Sequence, residues 1–232
     1  MEKNNFICRI ISPGDKSLWD NCVRFEYDIF VESRYIKENP GKKIPSYDQY
    51  DHSLFLALFL ENNRKVEPDI AGLMRLFYAP PSADKMGEGL FPSFDLYDRA
   101  KLYPEKLEML LRLNPGEIIN VGAMVVKKDF RTNECFMKLQ EFYCKFCCEN
   151  RYLYGLVAIE NLHLHQVLKT IFNVIDIGPS NILFRGVPSV LVILDIFDQL
   201  AEAGMDLKSV SKKNSLWYNI FGRLRLERSK GA

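Results

Sequence analysis

Two carboxylates and a guanidinium carry the most suggestive chemistry in this chain. Asp48 and Asp51 sit three residues apart in Ser46-Tyr47-Asp48-Gln49-Tyr50-Asp51, directly ahead of an apolar run, and Arg75 lies inside the next apolar run. Two acids at that spacing beside a sheet can bracket a guanidinium, or can orient an amine and take its proton if their surroundings separate their pKa values. A solvated loop followed by a strand arginine shows the same residues, so the pattern by itself leaves both accounts open. Cys144 and Cys147, with Cys148 beside them, have the spacing of half a zinc site. The other half is missing, His163 and His165 belong to a different expected element, and Phe146 beside Cys147 makes the group read as thiols packed on a helix. No metal is expected. His52, His163 and His165 are the chain's three histidines, and no glycine-flanked nucleophile elbow accompanies them. No glycine-rich loop ends in Lys-Ser or Lys-Thr, so hydrolase and nucleotide-triphosphatase readings lose ground.

The elements that must position these residues belong to an ordinary globular chain. The 232 residues are 47% hydrophobic and 26% charged, which excludes collagen-like, disordered and low-complexity classes. A formal net charge of +1 gives no global field of the kind nucleic-acid binders carry, and no nucleic-acid partner is expected. Basic residues do gather after Leu207, at Lys208, Lys212, Lys213, Arg223, Arg225, Arg228 and Lys230 against the single acid Glu227. That tail is either a solvated face or a contact for an anionic partner. The start, MEKNNFICRI, lacks the pattern of a secretory leader, and apolar runs such as Val190 to Leu194 fall well short of the roughly 20 residues that span a membrane. A cytoplasmic location, no integral membrane segment and reduced thiols at all six cysteines follow as expectations.

Periodicity divides the chain into alternating strands and helices. Phe6 to Ile11 reads as a strand, Leu18 to Tyr35 as an amphipathic helix, and His52 to Glu61 with Ile70 to Tyr78 as an antiparallel pair turned at Asn62-Asn63. Pro81 to Pro115 is a mixed excursion with a short helix at Pro104 to Leu113. Glu117 to Lys127 is a near-continuous apolar run, the mark of a central strand buried on both faces. A helix over Thr132 to Asn150 and a strand over Leu153 to Ile159 complete a βαβ unit. Leu162 to Phe172 reads as a helix, Asp176 to Pro179 as a turn, Ile182 to Arg185 as a short strand, and Pro188 to Leu200 as mixed strand or helix.

Taken in order, these blocks resemble a known group. Arg24-Phe25-Glu26-Tyr27-Asp28-Ile29-Phe30-Val31-Glu32, Asp48-Gln49-Tyr50-Asp51 and Gly72-Leu73-Met74-Arg75-Leu76 are similar to successive motifs of the autoinducer synthases and N-acyl amino acid synthases of the GNAT superfamily. Asn120 to Arg131 takes the place of their central-strand motif, and Ile177-Gly178-Pro179 with Phe184-Arg185-Gly186-Val187-Pro188 resembles the C-terminal block of the long-chain N-acyl amino acid synthases and exosortase-associated acyltransferases. The resemblance runs from about residue 20 to residue 200. It implies an α/β GNAT-type acyltransferase fold, a twisted mixed sheet with a splayed strand pair and helices on both faces. Residues 1–207 would form that single domain and 208–232 the basic tail.

The resemblance also implies an activity, the transfer of an acyl chain from acyl-acyl carrier protein or acyl-CoA to the amine of an amino acid or related metabolite. The thioester is a co-substrate, and no tightly bound cofactor is implied. Asp48, Asp51 and Arg75 would hold the amine, backbone N–H groups near Val125 would receive the oxyanion, and Val125, Val126, Lys127, Lys128 and Arg131 would meet the donor and its phosphopantetheine arm. Lys127, Lys128, Arg131 and the tail would dock an acidic carrier protein. Phe142, Phe146, Phe172 and Phe91 to Tyr103 are candidates for the acyl cavity. The departures are as informative. Asn120 stands where the group has a glutamate proposed as general base, Ala123 where it has an arginine, and Glu26 where it has a second arginine. Either Glu117 takes the base's role, or Asp48 and Asp51 act through water, or transfer is weakened. The alternatives are a GNAT-like module that binds acyl chains, a carrier protein or another protein, and a CoA-dependent N-acetyltransferase, against which the lack of glycine from Lys127 to Cys135 argues.

Overall fold

The computed structural model describes residues 5–61, 69–131, 133–160, 162–184 and 187–196. The basic tail, the Asn62-Asn63 turn and the domain end at residue 207 lie outside them. The described residues form eight strands: β1 (Phe6–Ile11), β2 (Ser53–Leu60), β3 (Ile70–Tyr78), β4 (Ile118–Val126), β5 (Tyr154–Ile159), β6 (Asn173–Asp176), β7 (Ile182–Phe184) and β8 (Val187–Asp195). They form a sheet in the order β1-β2-β3-β4-β5-β8-β6, with β7 on the start of β8. Neighbours are antiparallel except β4 and β5.

The helices are α1 (Lys16–Glu32), α2 (Pro92–Asp95), α3 (Pro104–Leu111), α4 (Asn133–Asn150) and α5 (Leu162–Ile171). The β4-α4-β5 connection is the expected βαβ unit, and a parallel pair needs such a crossover. Expected helix ends differ by a residue or more where caps decide them. Asp15 caps α1 through Leu18 N–H, and Ser33 ends it two residues before Tyr35. A short strand not expected from the sequence, β6, comes just before the expected turn and overlaps it only at Asp176, its Asn173 to Asp176 pairing with Val192 to Asp195. β8 makes the ambiguous stretch from Pro188 a strand as far as Asp195, because β5 and β6 bind it on both sides, and residues 197–200 lie outside the described residues.

Both faces of the sheet are covered, which is why its central strands are apolar apart from the buried Arg75 on β3, Asn120 on β4 and Ser189 on β8. On one side α1, α2 and α3 pack with Phe55, Leu73, Phe77, Ile118 and Leu156, and on the other α4 and α5 pack with Leu58, Met74, Ile119, Val192 and Leu194. Cys135, Cys144 and Cys147 are buried in the α4 layer. Burial raises the Cys144 and Cys147 thiols well above the usual range, as packed core thiols should be.

Candidate active site

The parallel strands at the sheet's centre part company. β4 and β5 pair from Ile118 opposite Tyr154 to Val121 opposite Val157, and pairing stops there although both strands continue. β4 stays joined to β3 as far as Val126, so β5 is the strand that leaves. A bulge marks the fork: Arg75 pairs Ala123 and Leu76 pairs Val121, leaving Gly122 as an extra residue. Its carbonyl accepts a hydrogen bond from the Tyr47 hydroxyl, and a Cβ there would stand 2.3 Å from Phe77 Cε2, a space that glycine alone fits. Beyond it Lys127 N–H donates to Ala71 O on β3 at 2.9 Å. By strand alternation Val125 also turns its backbone to β3, and Met124 and Val126 turn theirs to the fork.

Between the diverging strands lies a cleft of about 170 Å³. Phe30, Tyr35, Ala123, Val125 and Phe184 line it from the α1 side, and Met74, Met124, Gln140, Tyr143 and Leu168 from the α4 and α5 side. The cleft therefore reaches through the sheet. Gln140 is held there by its contact with Met124 Sδ at 3.5 Å, and burial raises the Tyr143 phenol well above its ordinary range, so it stays protonated. Glu160, the residue after β5, is the one carboxylate among the lining residues. Tyr35 lines the same cleft, and its phenol is raised by burial, then by the charge of Glu160 and hydrogen bonding toward it, against the lowering effect of Arg131.

No protein-family model and no curated protein matches the chain. Among solved structures, BjaI, a CoA-dependent acyl-homoserine lactone synthase seen with SAM and isopentyl-CoA, superposes with a TM-score of 0.60 at 16% identity, covering 94% of this chain and 90% of BjaI. The acyl-homoserine lactone synthase LasI gives 0.58 at 13% identity over 84% of this chain and 91% of its own. FeeM, an N-acyl amino acid synthase from uncultured soil microbes, gives 0.54 at 13% identity over 88% and 100%. The chain has the GNAT-type acyltransferase fold. The splayed strand pair which the sequence resemblance implies is β4 and β5, and the bulge at Gly122 marks its fork.

Within this GNAT-type frame the residues singled out from the sequence fall into separate places. Arg75 is 5% exposed and pairs through Nη1 with Glu26 Oε2 at 3.1 Å, enclosed by the rings of Trp19, Tyr47, Phe55 and Phe77 at 5.0 to 5.5 Å. Asp48 and Asp51 are exposed on the segment before β2, while Tyr47 and Tyr50, each directly ahead of one of them, are buried and tether it, Tyr50 through Asp95 at 2.8 Å. The structure thus brings Arg75 to Glu26 and leaves the two aspartates facing outward. Glu117 precedes β4 at its far end, roughly 16 Å from Gly122 at about 3.3 Å per residue. Asn120 is fully buried: its amide donates to Ser93 Oγ at 2.6 Å and Leu156 O at 2.7 Å and accepts from Ser93 N–H at 3.2 Å, clasping α2 to the paired stem of the fork.

Val125 and Val126 stand on the open half of β4, with Lys127, Lys128 and Arg131 just beyond it. Lys128 and Arg131 are exposed, Arg131 Nε donates to Val126 O at 3.2 Å, and Lys127 pairs with Asp69 at 3.3 Å. Phe142, Phe146 and Phe172 pack in the α4 layer, and the cleft takes its aromatic lining from Phe30, Tyr35, Tyr143 and Phe184. Sequence reasoning missed Tyr35 and Glu160. A charge closing an apolar strand is commonplace, and the fork is what gives this one significance.

Proposed function

We propose that the protein is an N-acyltransferase that carries an acyl chain from acyl-acyl carrier protein or acyl-CoA to the amine of an amino acid or related metabolite. The observation that carries this reading is the apolar cleft through the sheet, walled by the open backbone of β4. A thioester laid against that strand exposes its carbonyl to unpaired N–H donors of Met124 and Val126, which suit the charge that develops on attack. The α4 and α5 side, with Met74, Leu164 and Leu168, is apolar enough for the acyl chain. Lys127, Lys128 and Arg131 at the tip of β4 suit the anionic arm of the donor and an acidic carrier protein. Asp48 and Asp51, on the α1 side, suit a cationic acceptor as it approaches, while Arg75 and Asn120 act as positioning residues that fix β3, β4 and α2 around the fork. BjaI, seen with SAM and isopentyl-CoA, supports a thioester donor and a small acceptor.

The test incubates purified protein with acyl-CoA and acyl-acyl carrier protein of several chain lengths and a panel of amino acids and amines, following thiol release and product mass together. Release with an N-acyl product is the expected result, and Lys128→Glu with Arg131→Glu should raise KM for the donor. Donor binding without thiol release from any pair would instead make the chain a binding module, the reading favoured by an Asn120 whose amide is wholly engaged.

A further inference from the structure

Acyl transfer to an amine needs a proton acceptor at the thioester, because an amine that arrives as ammonium has no lone pair to attack with. The carboxylates elsewhere serve poorly. Glu26 is sealed against Arg75, Glu117 stands at the closed end of β4, and Asp48 and Asp51 lie outside the cleft lining. Asn120 accepts no proton at useful pH. His52 is exposed ahead of β2, and His165 is engaged with Asp176 at 2.7 Å.

We propose that Glu160 is the general base of the reaction, supplied from the tip of β5, and that Tyr35 is its positioning residue. This rests on the acyl-transfer reading. Glu160 enters the cleft where β5 has swung from β4, facing the open strand across the gap. Tyr35 reaches it because of how α1 ends. Arg34 takes the left-handed conformation, with φ of 62°, its N–H donates to Val31 O at 3.0 Å, and Tyr35 N–H donates to Phe30 O at 2.9 Å. These two bonds make a Schellman cap, whose usual apolar contact is here the edge-to-face pair of Phe30 and Tyr35 at 5.6 Å. The cap thus fixes the ring in the wall of the cleft that Glu160 also lines, and the raised Tyr35 phenol accords with a carboxylate beside it. Arg131, anchored on Val126 O, places a cation on the same side.

The Glu160 carboxylate takes one proton from the acceptor's ammonium. The freed nitrogen attacks the thioester carbonyl, forming the C–N bond as the C–S bond breaks. The second proton leaves the nitrogen for the departing thiolate, giving amide and free thiol, and Glu160 returns its own proton to water. Among the cleft's lining residues Tyr35 is the titratable group beside this carboxylate, Arg131 acts on the same Tyr35 phenol, and Gln140 and Tyr143 add polar groups to the lining.

The experiment compares wild type, Glu160→Gln, Glu160→Asp and Tyr35→Phe in full-length protein, measuring kcat, KM, the pH profile of kcat/KM, acyl-CoA binding by calorimetry, and melting. Glu160→Gln should lower kcat by about 10²- to 10⁴-fold and remove the acid limb of the profile while acyl-CoA still binds. Glu160→Asp should restore part of the rate. Tyr35→Phe should move the acid limb to higher pH, because the charged carboxylate loses a donor. Gln keeps an acceptor for Tyr35, so a merely structural Glu160 would leave rate and profile unchanged in that variant, and this outcome overturns the proposal. A wild type that binds acyl-CoA and acylates none of the acceptors overturns the acyl-transfer reading, and this one with it.

Discussion

Replacing Glu26 by Gln tests whether Arg75 is a structural pillar or a substrate contact. The carboxylate side chain is 0% exposed and the Arg75 side chain 7%, with their contact at 3.1 Å. Breaking a buried pair from one side typically costs ~3–5 kcal/mol, since a desolvated charge is left behind. Two features soften that. The four surrounding rings stabilise the guanidinium with or without Glu26, and the Gln carbonyl can still accept a hydrogen bond worth about 1 kcal/mol. A loss of ~2–4 kcal/mol is expected, which at ~2–4 °C per kcal/mol for a chain of this size lowers Tm by roughly 4–16 °C. Adding Arg75→Met removes the stranded cation and should recover most of the loss, as apolar replacements of buried pairs commonly do. Urea unfolding of the four proteins of this cycle measures both numbers, and added salt should scarcely change them, because the pair is shielded from solvent. A single variant within about 1 kcal/mol of wild type, or a double variant no better than the single, refutes the pillar. A stable double variant that no longer turns over would return Arg75 to the acceptor site.

Gly122→Ala drives a methyl into Phe77 and against the Tyr47 hydroxyl, and should cost ~1–3 kcal/mol by overpacking with about 1 more for the Tyr47 bond. Denaturant melts check the loss, and a cost below ~0.5 kcal/mol would mean that the fork is more yielding than its packing suggests. Asp176 is held below the usual carboxylate range: burial alone would raise it, and the hydrogen bonds from Lys169 and His165 outweigh that effect. A depressed carboxyl stabilises the fold above its unfolded pKa and loses that stabilisation as pH falls through its folded one. Asp176→Asn should therefore be less stable than wild type at pH 7, and the gap should narrow as acid takes the pH below the ordinary value of 3.8. An equal gap at both ends would exclude the ion cluster as its source.

The βαβ unit was legible because its signals are long: a nine-residue apolar strand, an eighteen-residue helix with a regular stripe, and a second apolar strand. β6 was not, because four residues between a helix and a turn are too few to show a period. The bulge left no trace either, since Ala123 to Val126 beyond it are all apolar and a change of phase puts no polar residue out of place. Order along the chain pointed to the fold that the superpositions share, despite identities of 13 to 16%. The partnership of Glu26 with Arg75 joins residues 49 apart, and no local pattern announces it. Glu160 had no signal of its own, because its meaning depends on two strands separating after Val121 and Val157.

The additional residue at Gly122 gives β4 two phases. Before it Ile118 and Asn120 face the α1 side and Ile119 and Val121 the α4 side; after it Ala123 and Val125 face α1 while Met124 and Val126 face α4. Any ungapped comparison across this strand therefore changes its spatial meaning halfway, so that a match at Asn120 and one at Ala123 are not held in common register by the fold. Removing Gly122 would leave every following side chain in its present layer, because Val121 and Ala123 already face opposite sides, whereas an insertion there would exchange one layer for the other. A scan of polar substitutions along β4 would show the change: Ile118 to Asn120 are buried toward both layers and tolerate little, and only beyond position 122 does tolerance alternate, low at Ala123 and Val125 and higher at Met124 and Val126.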